Sequence, residues 1–182
     1  MHPNFEWVLA HHCAPVLLGK KPAALLAEKA LPKSAPWALL VSRGFRVLWL
    51  NWRGRMELTL VYHPAVLSAA LNQDVVRREL AALRYPVDEG LMPMLRFLRR
   101  RFSESVEFPH EVGFFLGYPA EDVIGFMQRQ QACKLSGPWK VFGDEERAAA
   151  MFEEHDRCKR TLMHHIENGG SLFAADLPTA AV

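Results

Sequence analysis

Twelve prolines punctuate the 182-residue chain, and they fix where regular structure can begin and end. Proline suits the first turn of a helix and breaks its interior. The residue before it is pushed out of the helical region. On this rule residues 4–13 form a short helix, with Asn4 as N-cap and Phe5, Val8, Leu9 and His12 on one side. Pro15 ends or kinks that helix near Ala14. Pro22 opens a second helix, PAALLAEKA, which Pro32 closes, and a third runs from Pro36 to Gly44. Pro64 opens PAVLSAAL, and Asn72 caps QDVVRRELAALR. Close to Pro93 a helix starts with Leu91, Met94, Leu95, Leu98 and Phe102 on one stripe. Pro119 opens another, with Glu121 and Asp122 at the positive end of its dipole.

Elsewhere the texture changes. RVLWLNW and MELTLVYH are rich in β-formers and flank Arg53-Gly54-Arg55, which reads as a hairpin over about 46–62. GPWKVFGD reads as a short strand over about 138–143, added to that hairpin. A long C-terminal helix runs from about 144 to 168, with acids first and bases later, and Gly169-Gly170 stops it. The fold class expected is α+β. It is a mostly helical single domain over residues 1–172 around a small antiparallel sheet, and 173–182 form a flexible tail.

Half of the residues are apolar, enough for one good core. The net charge of +2, from 22 basic and 20 acidic residues, argues against a nucleic-acid partner. No apolar run approaches the roughly 18 residues of a membrane span. The opening MHPNFEWVLAHHCAP lacks the basic start of a signal peptide, so a cytoplasmic protein without membrane partners is expected. Three cysteines, Cys13, Cys133 and Cys158, with no Cys-x-x-Cys pair, argue against a disulfide framework or a zinc ribbon.

Few residues carry chemistry. His110-Glu111 sets an imidazole beside a carboxylate, a pair able to move protons near neutral pH or to cap a helical turn. Cys13 follows His11-His12, but adjacent helical residues point about 100° apart and cannot all ligate one metal. Lys20-Lys21 precede Pro22, where an anion can meet a helix start. Arg96 and Arg99-Arg100-Arg101 read as a solvated basic face. Cys158 shares a helix face with Ala148, Met151, His155 and Leu162 and reads as core. Trp49, Trp52 and Trp139-Lys140 read as pocket lining or as rim packing.

The run Phe108 to Pro119, FPHEVGFFLGYP, together with GPWKVFGD, resembles an uncharacterised bacterial family, a domain of unknown function common in anaerobes. The resemblance extends to Cys13-Ala14-Pro15, Gly19 with Lys21, Leu60-Val61-Tyr62, Trp139 to Phe142, and Cys158, so it spans almost the whole chain. Val16 stands where the pattern has Thr, and Phe142 where it has Tyr, which weakens any role for a hydroxyl at either place. The family implies no activity. Cys13, Lys21, His110, Glu111, Gly117, Tyr118, Asp122, Lys140 and Cys158 match its pattern, which raises Cys13, Lys21 and His110-Glu111 as a group, while Cys133, His11, His155 and the arginine run fall outside it.

Three functions follow in order. The first is a small ligand- or cofactor-binding or redox accessory protein. Its pocket is built from Cys13, Lys21, Tyr62, His110, Glu111, Tyr118, Asp122 and Lys140, and holds a small molecule, a haem or another cofactor, or a metal on Cys13, His110 or Cys158. The second is a thiol enzyme with Cys13 as nucleophile, His110 as base and Glu111 as its orienter. The third is a non-catalytic interaction domain. The identity of an occupant and any self-association stay open at this level.

Overall fold

A computed structural model describes residues 5–27, 36–130 and 132–174. The elements are α1 (Phe5–Leu17), β1 (Ala23–Ala27), α2 (Trp37–Ser42), β2 (Arg46–Trp52), β3 (Met56–Tyr62), α3 (Pro64–Leu71), α4 (Asp74–Ala82) and α5 (Leu91–Glu104). They continue with α6 (Val112–Phe115), α7 (Ala120–Met127), β4 (Leu135–Ser136), β5 (Lys140–Val141) and α8 (Glu145–Glu167). The class is α+β, helices around a small antiparallel sheet with a long C-terminal helix.

The sheet runs β1-β3-β2, antiparallel throughout. Its hairpin is the one expected, with Arg53 and Gly54 at positive φ in the turn and the Gly54 N–H donated to the Asn51 side chain at 2.6 Å. Strand residues alternate between faces, so the register sorts them into two cores. Ala23, Leu25, Leu48, Leu50, Leu58, Leu60 and Tyr62 meet α3, α4, α5 and α6 on one face. Ala24, Leu26 and Val61 meet α1 and the C-terminal half of α8 on the other. The middle strand is therefore covered on both sides, and Leu60 and Val61 are fully buried.

Two segments differ from the sequence expectation. PAALLAEKA is not a helix where it is described: Ala23–Ala27 is a strand on the free edge of β3. Alanine and leucine are strong helix formers, but propensity is a weak guide that tertiary context overrides. Here both strand faces bury against a core, so the segment reads as an unbroken apolar run with no period to betray it. The strand near 140 does not join the hairpin. Lys140–Val141 pairs with Leu135–Ser136 in a separate two-stranded sheet. One edge of the hairpin is taken by β1, and α5 packs along β2 at the other. The N–H groups of Phe142 and Gly143 go instead to the Asp122 carboxylate.

α1 runs through Pro15 to Leu17. The proline forfeits one hydrogen bond near the helix end, and burial of Val16 and Leu17 outweighs it. The expected N-cap Asn4, residues 28–32 of the expected helix, and positions 175–182 of the expected tail lie outside the described residues. Phe173 stacks on Phe5 at 6.2 Å, and the Leu172 N–H is donated to Glu6. α8 starts where expected, with Asp144 capping the N–H of Arg147.

Candidate functional site

The segment from Phe108 to Pro119 is a chain of turns around the short helix α6, and its packing explains its composition. Gly113 leaves no room for a Cβ, which would stand 2.8 Å from Val123 on α7. Gly117 has φ of +73°, and a Cβ there would stand 2.5 Å from the Pro22 ring. Only glycine meets both demands at Gly117. That contact locks the segment onto the residues just before β1, and it brings Tyr118 to Lys21.

The Lys21 ammonium lies over the Tyr118 ring, 5.0 Å from its centre. It makes no ion pair or hydrogen bond among the described residues. Burial pulls its pKa down to about 8, and the Cys13 thiol opposes that shift. Tyr118 stacks on Trp139 at 4.5 Å. Trp139 meets His155 of α8 at 6.2 Å. Burial, helped by the charge of Lys21, holds the His155 pKa down to about 4, so this imidazole is neutral at pH 7.

Asp122 anchors the other end. Its carboxylate, only 2 % exposed, accepts from the Trp139 indole N–H at 2.8 Å and from the N–H groups of Phe142 and Gly143 at 2.7 and 2.8 Å. It pins β5 to α7 and has no need of a ligand to satisfy it.

Between these parts opens a pocket of about 410 Å³. Phe108, Tyr118, Phe126 and Trp139 supply aromatic walls, and Leu25, Val112, Leu116 and Val123 supply aliphatic ones. The Lys140 ammonium stands 5.8 Å from the centre of the Phe126 ring. The His110 ring packs on Phe126 at 4.7 Å and on Phe108 at 5.5 Å. Desolvation lowers the His110 pKa against the opposing pull of Glu111 and Glu107, which leaves it neutral at pH 7. The size and the mixture of apolar wall with a few polar groups are those of small-molecule sites.

The sequence-expected residues divide accordingly. His110, Tyr118, Asp122 and Lys140 line this one pocket. Lys21 touches it through Tyr118. Glu111 belongs elsewhere: it is buried and accepts from Arg101 Nε at 2.8 Å and from the Tyr85 hydroxyl at 3.2 Å. It ties α5 to the turn before α6, and its carboxylate makes no hydrogen bond to His110. Tyr62 is buried on the α3/α5 face of the sheet, and burial raises its pKa.

Cys13 and His110 do not meet. Cys13 is 0 % exposed in the core between α1 and α8, while Phe108 and Val112, on either side of His110, pack into the core on the opposite face of the sheet. Burial pushes the Cys13 thiol up to about 12. Cys158 shares that core, and burial raises its pKa too. Among the described residues no three His, Cys, Asp or Glu side chains converge as metal ligands. Sequence reasoning missed Leu25, because β1 was read as helix. It also missed Phe126, whose one signal is a large ring in a short helix that stays 38 % exposed. His155 was set aside with α8, and only the fold brings it to Lys21.

The family described as "Protein of unknown function (DUF3793)" matches residues 9–174. The chain belongs to this family. No curated protein and no solved structure matches it. The match takes in Lys21 and every residue that lines the pocket.

Proposed function

We propose that this protein binds a small molecule, an apolar ring system carrying one anionic group, in the pocket between the Phe108–Pro119 segment and the β4–β5 hairpin. A planar organic cofactor is one such molecule, which would make the protein an accessory to a redox or metabolic partner. The reading rests on one observation: four aromatic rings wall an open 410 Å³ hollow with a cation at its rim. Rings of the ligand stack on half-exposed Phe126 and reach the rim of Trp139, on which Tyr118 already stacks. The Lys140 ammonium, exposed at the rim, takes the anionic group. Neutral His110 offers one donor and one acceptor. Lys21 and Asp122 hold Tyr118 and Trp139 in place and touch no ligand. Among the described residues no helix is long and apolar enough to cross a membrane, which suits a cytoplasmic role.

The thiol-enzyme reading loses its support. A nucleophilic cysteine needs a thiolate and an accessible sulfur, and Cys13 has neither. Calorimetry with 1-naphthoate and the neutral 1-naphthalenemethanol tests the binding reading. One-to-one binding of naphthoate is expected. It should be weakened about tenfold by Lys140→Glu, one factor of ten being about 1.4 kcal/mol, and by about as much by Phe126→Ala, whose ring is 38 % exposed. Binding indifferent to both changes overturns it.

A further inference from the structure

A second hollow lies away from the aromatic pocket and shares no lining residue with it. It is an open groove of about 550 Å³ where α5 packs along strand β2. Three kinds of chemistry meet in it. From α5 come Arg96, Arg99, Arg100 and Ser103, at three- and four-residue spacing and hence on one flank, while Leu95, Leu98 and Phe102 of the same helix are buried. From β2 comes Trp49, 58 % exposed. From β2 and β3 come Asn51 and Glu57, paired in register two residues along from Trp49 and so on its face of the sheet.

The arginines are underused. Arg96 and Arg99 make no ion pair or hydrogen bond among the described residues. Arg100 has only Glu104, 4.0 Å away, and the Phe97 ring at 4.6 Å. Their neighbour Arg101 shows the contrast: it turns to the buried Glu111 and is spent on the fold. Three guanidinium groups on one flank are well matched to phosphate oxygens, which they can clamp two at a time. Trp49 offers a π-face on which a flat heterocycle can stack. Glu57 in the same groove disfavours a run of phosphates but accepts a hydrogen bond from a ribose hydroxyl or an exocyclic amine. We propose that this groove binds a free nucleotide, with its phosphate on Arg96, Arg99 and Arg100 and its base on Trp49.

The test is titration of the full chain with adenosine monophosphate, adenosine and inorganic phosphate at constant ionic strength, read by tryptophan fluorescence and by the indole N–H resonances. The mononucleotide is expected to bind at least about tenfold more tightly than either fragment and to shift the Trp49 indole. Arg96→Ala with Arg99→Ala, and separately Trp49→Ala, should each cost about tenfold or more. The arginine change alone should flatten the salt dependence. All three positions are exposed, and an unchanged circular dichroism spectrum and melting temperature confirm folding of each variant. Glu57→Gln, which keeps the shape of the groove, should leave phosphate affinity equal or tighter. Equal affinity for nucleotide, adenosine and phosphate overturns the proposal, as does binding that ignores Trp49→Ala. A decadeoxynucleotide or an acidic peptide that binds more than about tenfold more tightly than the mononucleotide overturns it as well, in favour of a strand or a protein partner.

Discussion

Asp122 shows how one side chain holds a site without touching its ligand. Three donors converge on its carboxylate, one of them the indole of Trp139. Asp122→Ala strands all three; the buried indole N–H alone costs about 1–3 kcal/mol, while the two partly buried backbone N–H groups can turn to water. A loss of about 2 kcal/mol in urea unfolding is expected, with loss of the near-ultraviolet dichroism of Trp139. Lys21 acts the other way. Its pKa falls from 10.5 in the unfolded chain to about 8 in the fold, so the unfolded state binds more protons between those values. Stability must therefore rise with pH across that window, and the penalty for burying the charge is present in full below pH 8. Lys21→Met should flatten this rise. It should also stabilise the protein at pH 7 by up to about 3 kcal/mol, each pKa unit being worth about 1.4 kcal/mol. Equal slopes for variant and wild type would contradict the burial of that ammonium. The cysteines give a third check. A disulfide reagent should modify exposed Cys133 quickly and leave Cys13 and Cys158 untouched until the chain unfolds.

At the scale of elements, proline and glycine punctuation carried most of the information. The hairpin, α3, α5, α7 and α8 lie where capping residues and period placed them; α4 follows its period, but Asn72 ends α3 and Gln73, without a side-chain cap, precedes α4. The failures share a cause. β1 is a strand because an edge of β3 was open and both faces of AALLA are covered, facts of the tertiary structure that leave no local mark. β5 lies apart from the hairpin: it pairs with β4, and the N–H groups of Phe142 and Gly143 just after it go to Asp122, about twenty positions earlier. The site was legible by the same rule. Residues within the long 108–119 motif and its partner strand were found, whereas Leu25, Phe126 and His155 depend on long-range packing. Cys13 and His110 were paired on chemical type, and the sheet separates them. The strand assignment makes its own prediction. Ala24 is 4 % exposed and exposed Ala27 ends the strand. Ala24→Asp, which puts a carboxylate into the α1/α8 core, should cost more than about 3 kcal/mol or prevent folding, against about 0.5 kcal/mol or less for Ala27→Asp.

Across the whole molecule the sheet divides the labour. On one face α1 and the C-terminal half of α8 form a closed apolar core that takes in both buried cysteines. On the other, α3 to α6 form the larger core, and the aromatic pocket opens where that core meets the small β4–β5 sheet. α8 spans the two regions: its first turns pack under Trp139 through Ala148, Met151 and Phe152, and its later turns pack on α1. A ligand that bridges Phe126 and Trp139 should therefore stabilise the entire chain rather than one end of it. At a hundredfold excess over its Kd the gain is about 2.7 kcal/mol. The most direct test of the binding site uses the five tryptophan indoles as reporters in a nuclear magnetic resonance titration with 1-naphthoate. The account predicts a saturable shift of the Trp139 resonance, with Trp7 and Trp49 unmoved and the midpoint raised about tenfold in Lys140→Glu. No shift at Trp139 up to millimolar ligand, or shifts spread equally over the exposed tryptophans, would contradict it.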